Sequence, residues 1–195
     1  MTQRAIGAGA ILIAFALIGL IASTYSIDPA NAAHIQPCTT SGLSMSIEGV
    51  TDHVEIKKYS FTATVPQTNT GSGGQQSASA PQFTNIIVEK ATDENTPKIL
   101  EKLARADIIR EVHLQACYQL GKPNNFASFS ILLTKVKICS YQQDAENNNM
   151  PPTETIEFCY EKITTMYTPP PDPEGDENND EPTESEFDRV RNQGG

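Results

Sequence analysis

Polar and apolar residues alternate with a period of two in several separate stretches of the chain. In residues 155–160, for example, Ile156, Phe158 and Tyr160 fall on one face and the polar residues on the other. Successive side chains of a β-strand point to opposite faces of a sheet, so this pattern predicts half-buried strands. The pattern predicts strands at 43–47, 54–56, 59–65, 83–89, 109–118, 129–141 and 155–167.

The alternation changes phase at two places. One change falls at Lys57-Lys58, and the other follows Glu161-Lys162, after which Ile163 becomes an apolar position. Because strand side chains have a period of two, a change of phase predicts a bulge or a bend. Glu157, Cys159, Tyr160, Glu161 and Lys162 are therefore parts of a bent strand in this interpretation, and they do not converge as an active site would.

One stretch, "ENTPKILEKLARAD", indicates a helix at about 97–106, with Thr96 as its cap and Pro97 in the first turn. Residues 66–82 are rich in Gly, Ser and Gln and predict a long loop, either flexible or functional. The predicted fold is mainly β: an antiparallel β-barrel or two-sheet sandwich with one flanking α-helix.

The first 32 residues predict a signal peptide or an N-terminal membrane anchor. Arg4 is followed by an uncharged, mostly apolar run at 5–23, and Ala30-Asn31-Ala32 is typical of a cleavage site. The apolar run is also just long enough to span a bilayer. We expect either a secreted protein, cleaved after Ala32, or a protein tethered to the membrane by residues 5–23.

The remaining chain divides into a domain at 33–168 and a tail at 169–195. The tail holds nine Asp/Glu and two Arg, begins with three prolines and has almost no apolar residues, which predicts disorder. The domain carries fourteen acids and eleven bases and contains no basic stripe. Nucleic-acid binding, which requires neutralisation of phosphates, is therefore not expected.

Four cysteines lie in the exported part of the chain, and an even number there predicts two disulfides. Cys139 and Cys159 flank one predicted hairpin whose midpoint falls in "NNNMPP", so we expect them to face each other. Cys38 and Cys117 are then paired by elimination. No C-x-x-C motif is present and the three histidines are scattered, so no metal site is predicted.

No set of residues in the sequence has the spacing of a catalytic site. A hydrolase would need two carboxylates at a fixed separation across a cleft, and Glu154, Glu157 and Glu161 are the only dense acids near the folded core. Nothing in the pattern places them so, and a solvated strand face is the preferred interpretation. We predict no catalytic, cofactor-binding or metal residues.

Between Met45 and Pro171 the sequence resembles the type VI secretion tube proteins, the haemolysin-coregulated protein (Hcp) family. The most specific parts are "PPTETIEFCYEKITTMYTPP" and "KATDENTPKILEKL". Three shorter stretches, "IEGVT", "EVHLQAC" and "KVKICSY", follow the family's order. The resemblance implies a β-barrel of two sheets, hexameric rings that stack into a hollow tube, no enzymatic activity and no cofactor. It also implies that residues 66–82 help rings contact each other, and that partners include spike or effector proteins.

Two functions are compatible with these observations. The first is a non-enzymatic structural subunit that self-assembles into ring- or tube-like homo-oligomers, here in an exported form. The second is a monomeric secreted or membrane-tethered β-domain used for binding or adhesion. The sequence alone leaves both open.

Overall fold

The computed structural model of the protein describes residues 37–68, 77–78, 80–123, 125–147, 149–171 and 182–189. Within these residues the chain forms thirteen strands and one helix. In chain order they are β1 (Gly42–Ile47), β2 (Thr51–Glu55), β3 (Lys58–Ser60), β4 (Ala63–Thr64), β5 (Gln67–Thr68), β6 (Ser77–Ala78), β7 (Gln82–Phe83), β8 (Ile86–Ala91), α1 (Thr96–Arg105), β9 (Ile109–Gln119), β10 (Phe126–Asp144), β11 (Thr153–Cys159), β12 (Lys162–Thr168) and β13 (Thr183–Asp188). No helix within the described residues has both the length and the hydropathy needed to cross a membrane.

Nine of the strands form two antiparallel layers that share one long strand. In sheet 1 the order is β2-β1-β9-β10-β12-β13, and in sheet 2 it is β10-β11-β8-β3. The path from β2 to β3 does not close on itself. Of the two predicted architectures, the structure therefore has the two-sheet sandwich with one helix, and the prediction of an antiparallel, mainly β fold is confirmed.

Besides the connection through helix α1, which leads from β8 of sheet 2 to β9 of sheet 1, the chain crosses from one sheet to the other at three points. Ile56 N–H donates to the Leu43 carbonyl of sheet 1, whereas Lys57 N–H donates to the Glu89 carbonyl of sheet 2. This crossing is the bend predicted at Lys57-Lys58. A second crossing lies inside β10 at Lys135, whose φ of 52° is in the left-handed region.

The third crossing corrects the single bent strand predicted over 155–167. The structure has two strands there, β11 in sheet 2 and β12 in sheet 1, separated by Tyr160 and Glu161. Glu161 N–H donates to the Thr134 carbonyl at 3.2 Å, next to the crossing in β10. The change of phase in the sequence thus marks a change of sheet.

The core lies between the two sheets and consists mostly of β-branched and aliphatic side chains. Ile47, Ile131 and Leu133 come from sheet 1, and Val88 and Phe158 from sheet 2, each with no exposed surface. Burying one such side chain stabilises the fold by roughly 1.5–3 kcal/mol. The alternating positions identified in the sequence supply this core.

Helix α1 covers the core through Ile99, which is fully buried. Pro97 lies in the first turn, and the helix ends at Ala106, whose φ is 52°. The prediction that Thr96 caps the helix is wrong. Asn95 is the N-cap residue, and the Thr96 hydroxyl instead donates to the buried carboxylate of Glu154.

The segment predicted as a long loop contains short paired strands in its described part. β4 pairs with β7, and further out β5 pairs with β6, with Gln67 opposite Ala78. We call residues 63–83 the arm. Residues 69–76 and 79 of the arm lie outside the described part of the chain.

One segment of the predicted disordered tail differs from that expectation. Residues 183–188 form β13, which pairs antiparallel with β12 from Lys162↔Asp188 to Tyr167↔Thr183. The edge of β12 offers unpaired backbone groups, and their pairing stabilises a strand that has little apolar character of its own. Residues 172–181 and 190–195 of the tail lie outside the described residues.

Candidate interaction surfaces

The four cysteines form two disulfides, Cys38–Cys117 and Cys139–Cys159, the two pairings given by the sequence reasoning. Cys139 lies at an irregularity in the pairing of β10 with β11, so Cys159 stands opposite Lys137 in register. The Cα atoms of Cys139 and Cys159 are nevertheless 5.9 Å apart, within the range that a disulfide spans. This disulfide links β10 to the end of β11, one residue before the crossing at Tyr160.

The second disulfide holds the segment before β1 against β9. Gln115 Nε2 lies 3.7 Å from Cys38 Sγ, and Gln119 N–H donates to Ser41 Oγ at 3.2 Å. Between this segment, β1, β2 and β9 lies a cleft of about 290 Å³. Its lining includes His53, His113 and Gln115 and is mainly polar, so it suits a small polar ligand better than an apolar one.

The three glutamates considered for hydrolysis each have a different partner. Glu154 pairs with Lys90, Glu157 accepts from Asn85 Nδ2 at 2.8 Å, and Glu161 pairs with Lys135 at 2.7 Å. The carboxylates do not line a common cleft. Among the described residues there is also no group of three or more His, Cys, Asp or Glu that could hold a metal ion.

Glu154 corrects the prediction of a solvated strand face, because its side chain has no exposed surface. It stands opposite Lys90 in the pairing of β11 with β8, and Lys90 Nζ lies 3.1 Å from Glu154 Oε2. The Lys90 ammonium group also donates to Asp93 Oδ1 at 3.1 Å and to the Ala91 carbonyl at 2.8 Å. Three acceptors match its three N–H bonds, which makes burial of this charge tolerable.

The buried Lys90–Glu154 pair connects helix α1 to sheet 2. Glu154 Oε1 accepts from the Thr96 hydroxyl at the start of α1, and Asp93 in the preceding turn accepts from Asn95 N–H at 2.8 Å. Burial, followed by the negative charge of Glu154, raises the pKa of Tyr141. All the described contacts of the Lys90–Glu154 pair are internal, so the pair organises the fold and offers no reactive group to a substrate.

Strand β13 brings two residues that the sequence reasoning missed into contact with the sandwich. The ring centroid of Phe187 is 4.2 Å from that of Phe83, and the Arg189 guanidinium lies 4.8 Å from the centroid of Tyr160. Arg189 Nη1 also donates to Asn85 Oδ1 at 3.1 Å. Phe187 is the one large apolar residue of β13, and a single apolar position gives too weak a signal to predict a strand.

Tyr160 forms the centre of this contact. Its hydroxyl donates to the Thr84 carbonyl at 2.8 Å, and only 5% of the residue is exposed. Burial raises the pKa of the Tyr160 phenol, and the Arg189 guanidinium offsets part of that rise. Beside it, Lys162 pairs with Glu186 of β13. We call this surface, formed by Phe83, Asn85, Tyr160, Lys162 and the edge of β12, the clasp groove.

In the two sheets of the sandwich, β2, β3 and β13 each have only one partner strand among the described residues. A strand edge without a partner presents backbone N–H and C=O groups that another strand can bond. β2 and β13 lie at opposite ends of sheet 1. The arm adds exposed apolar surface at Val65, 53% exposed.

Comparison with known proteins gives a family and a fold. Residues 35–167 match the family model described as "Type VI secretion system effector, Hcp". No curated protein matches the sequence at a significant level.

Several solved structures resemble the fold at low sequence identity. A structure of a type six secretion system protein is 19% identical, with a TM-score of 0.64, and the match covers 78% of this chain and 98% of that one. Hcp1 from Salmonella typhimurium is 12% identical, with a TM-score of 0.56 and coverage of 78% and 97%. Hcp1 from the E. coli EAEC 042 pathovar is 14% identical, with a TM-score of 0.56 and coverage of 78% and 99%.

Proposed function

Because the chain belongs to the Hcp family of type VI secretion system proteins, we propose that it is a non-enzymatic structural subunit, exported, that assembles with itself into hexameric rings and ring stacks. The family match over 35–167 carries the proposal. It is supported by the carboxylates of the sandwich, which hold internal partners rather than line a catalytic cleft.

The open edges of sheet 1 support self-assembly. A contact between two different surfaces of identical copies repeats around an axis and closes into a ring when the rotation allows it. Edges at the two ends of one sheet are such a pair of different surfaces. No ligand or second chain type is needed for this assembly.

The direct test is the oligomeric state of the full exported chain. We expect mass-resolved chromatography to give a mass about six times that of one chain, and negative-stain electron microscopy to show rings. A strictly monomeric protein at high concentration would contradict the proposal. Spike or effector proteins, as further partners, would be sought by their co-purification with the rings.

Ring stacking is proposed to involve the arm, including residues 66–82. In a test variant, residues 69–76 are replaced by Asn-Gly, which joins Thr68 to Ser77 in a two-residue hairpin turn. We expect rings to persist and stacks to disappear in electron micrographs. Unchanged thermal unfolding is the control that the sandwich is intact, and unchanged stacking would contradict a role of the arm.

Export is supported by the two disulfides, because such bonds persist in oxidising compartments and are rare in the cytoplasm. The protein would be secreted, or tethered by residues 5–23 if that segment is retained. Cell fractionation followed by non-reducing peptide mapping tests this. Finding the protein only in the cytoplasm, or four free thiols in the exported protein, would refute it.

A second candidate is a monomeric secreted or tethered β-domain that binds a ligand or another surface. The polar cleft of about 290 Å³ beside the Cys38–Cys117 disulfide favours it, because the lining of this cleft suits a small polar ligand. A monomer in solution, combined with loss of binding in a His53→Ala and His113→Ala double variant, would support this function over the first.

A further inference from the structure

Strand β13 is joined to its partner strand by a connection much longer than their pairing requires. Fourteen residues, 169–182, separate the end of β12 from the start of β13. Adjacent strands lie only about 4.8 Å apart, and hairpin loops usually have two to five residues. Fourteen residues span up to about 45–50 Å when extended. The covalent connection therefore does not require that β13 pair with the β12 of its own chain.

Besides its pairing with β12, β13 and the residue after it have side-chain contacts outside the β12–β13 hairpin. Phe187 contacts Phe83 of β7, and Arg189 contacts Asn85 and the ring of Tyr160. Arg189 N–H also donates to the Glu161 carbonyl at 2.8 Å. The clasp groove thus binds a strand that carries an aromatic side chain and, two residues later, a cation. A strand from the same chain or from another copy meets this requirement equally.

The other half of β13 is weakly held. Residues 183–186 are exposed and contribute mainly backbone pairing, together with the exposed Lys162–Glu186 pair. An edge strand of this kind opens at a lower free energy than the core. Release of β13 would uncover the clasp groove and the backbone edge of β12 at the same time.

From these observations we propose that the clasp groove of one copy accepts residues 183–189 of a second copy, so that β13 links neighbouring subunits by strand exchange. Exchange reproduces every contact of the closed form, so the cost is confined to the entropy of association. The inference rests on the proposed self-assembly, which brings copies within reach of the fourteen-residue connection. In this arrangement the clasp groove of one copy and residues 183–189 of the next hold neighbouring subunits together.

The test uses the Lys162–Glu186 contact as a reporter. Unlabelled and ¹⁵N-labelled full-length protein are mixed equally, either incubated at high concentration or refolded together with the disulfides intact. A carbodiimide then joins amines to carboxylates that touch, and the cross-linked peptides are weighed. We expect cross-links between Lys162 and Glu186 that combine a light with a heavy peptide, approaching about half of that species at full exchange between equal partners.

The Lys135–Glu161 pair provides an internal control, because both of its residues lie in the sandwich and touch at 2.7 Å. Its cross-links must remain unmixed. A Phe187→Ala and Arg189→Ala variant should lose the mixed Lys162–Glu186 cross-links and keep those of Lys135–Glu161. If every Lys162–Glu186 cross-link is unmixed after both treatments, the inference is overturned.

The two proposals fail in different ways. Rings without mixed cross-links would leave the proposed function standing and remove strand exchange. Mixed cross-links in a protein that forms only dimers would establish exchange and contradict the hexameric ring. Mixed cross-links that persist in the Phe187→Ala and Arg189→Ala variant would show a different contact between copies and would also overturn the clasp groove.

Discussion

The oppositely charged side chains of Lys90 and Glu154 are fully buried between sheet 2 and the start of helix α1. Removing two charges from water is costly, and their attraction compensates only when the remaining hydrogen-bonding groups are also satisfied. Here Asp93, the Ala91 carbonyl and Thr96 complete the set. The pair therefore determines how α1 packs on sheet 2. Loss of either residue would leave the other as a buried charge without its partner.

We predict that Lys90→Met lowers the free energy of unfolding by about 3–5 kcal/mol, because Glu154 keeps a buried charge without its partner. Lys58→Met is the matched control, since Lys58 pairs with Glu89 at an exposed site, where a pair contributes about 0.2–1 kcal/mol. Guanidinium unfolding followed by circular dichroism, with the disulfides intact, measures both. Equal losses in the two variants would contradict the structural importance of the buried pair.

The burial of Glu154 follows a pattern that the sequence contains. It lies two residues before Ile156 and four before Phe158, and so on the face that alternation assigns to the core. The charge of Glu154 led to the prediction that its side chain is exposed to solvent. No local signal identified Lys90 as its partner, because Lys90 is 64 residues away in the chain. Alternation predicts the face of a residue, whereas the partner that makes a buried charge tolerable depends on the tertiary pairing.

Strand β10 takes part in both sheets, and Lys135 is where it passes from one to the other. Residues 128–134 pair with β12, and residues 137–144 pair with β11. The buried large apolar positions change from odd numbers at Ile131 and Leu133 to even numbers at Val136 and Ile138. This change of phase is of the same kind as those at 57–58 and 161–162, which did predict bends, so the crossing at Lys135 was also predictable from the sequence.

We predict that Lys135→Val destabilises the fold more than Lys135→Asn, by about 1–2 kcal/mol, because a β-branched residue tolerates a left-handed φ poorly. Both variants lose the exposed contact with Glu161, so their difference reports the backbone alone. At Lys137, an exposed strand position without a positive φ, the order should reverse, since Val favours strands. Chemical unfolding of the four variants tests this, and the same order at both positions would contradict it.

Strand β13 could not be predicted by the same reasoning. Its residues, "TESEFD", are half acidic and contain one large apolar side chain, which is typical of a solvated tail. Its order depends on an available strand edge and on Phe83, Asn85 and Tyr160, which are distant in the chain. A strand that forms because it pairs with an existing edge and groove has no strong strand pattern in its own sequence.

At the scale of the whole molecule, the two disulfides close loops of very different size. Cys139–Cys159 spans 20 residues within one hairpin, whereas Cys38–Cys117 spans 79 residues and encloses the arm and α1.

The mainly β class, helix α1 and the family were all predictable from alternation and motif order. That the two sheets form an open sandwich and not a closed barrel was not predictable, because closure depends on whether β2 and β3 pair with each other in space.

We predict that replacing Cys38 and Cys117 by Ser lowers the free energy of unfolding more than replacing Cys139 and Cys159. Chain entropy of the unfolded state gives losses of about 4.5 and about 3 kcal/mol, since the longer loop restricts the unfolded chain more. Guanidinium unfolding of the two double variants beside the oxidised protein measures the difference. The reverse order would show that local contacts of the shorter loop outweigh the entropy of the unfolded chain.

The larger disulfide also determines what happens when a protease cuts the arm. Loop tips are the preferred sites of nicking, and the arm lies between Cys38 and Cys117. A chain nicked there stays in one covalent piece, since the disulfide joins the fragments on either side of the cut. The nicked chain separates into fragments only after a reductant breaks that one bond, so its persistence is set by redox chemistry rather than by peptide-bond cleavage.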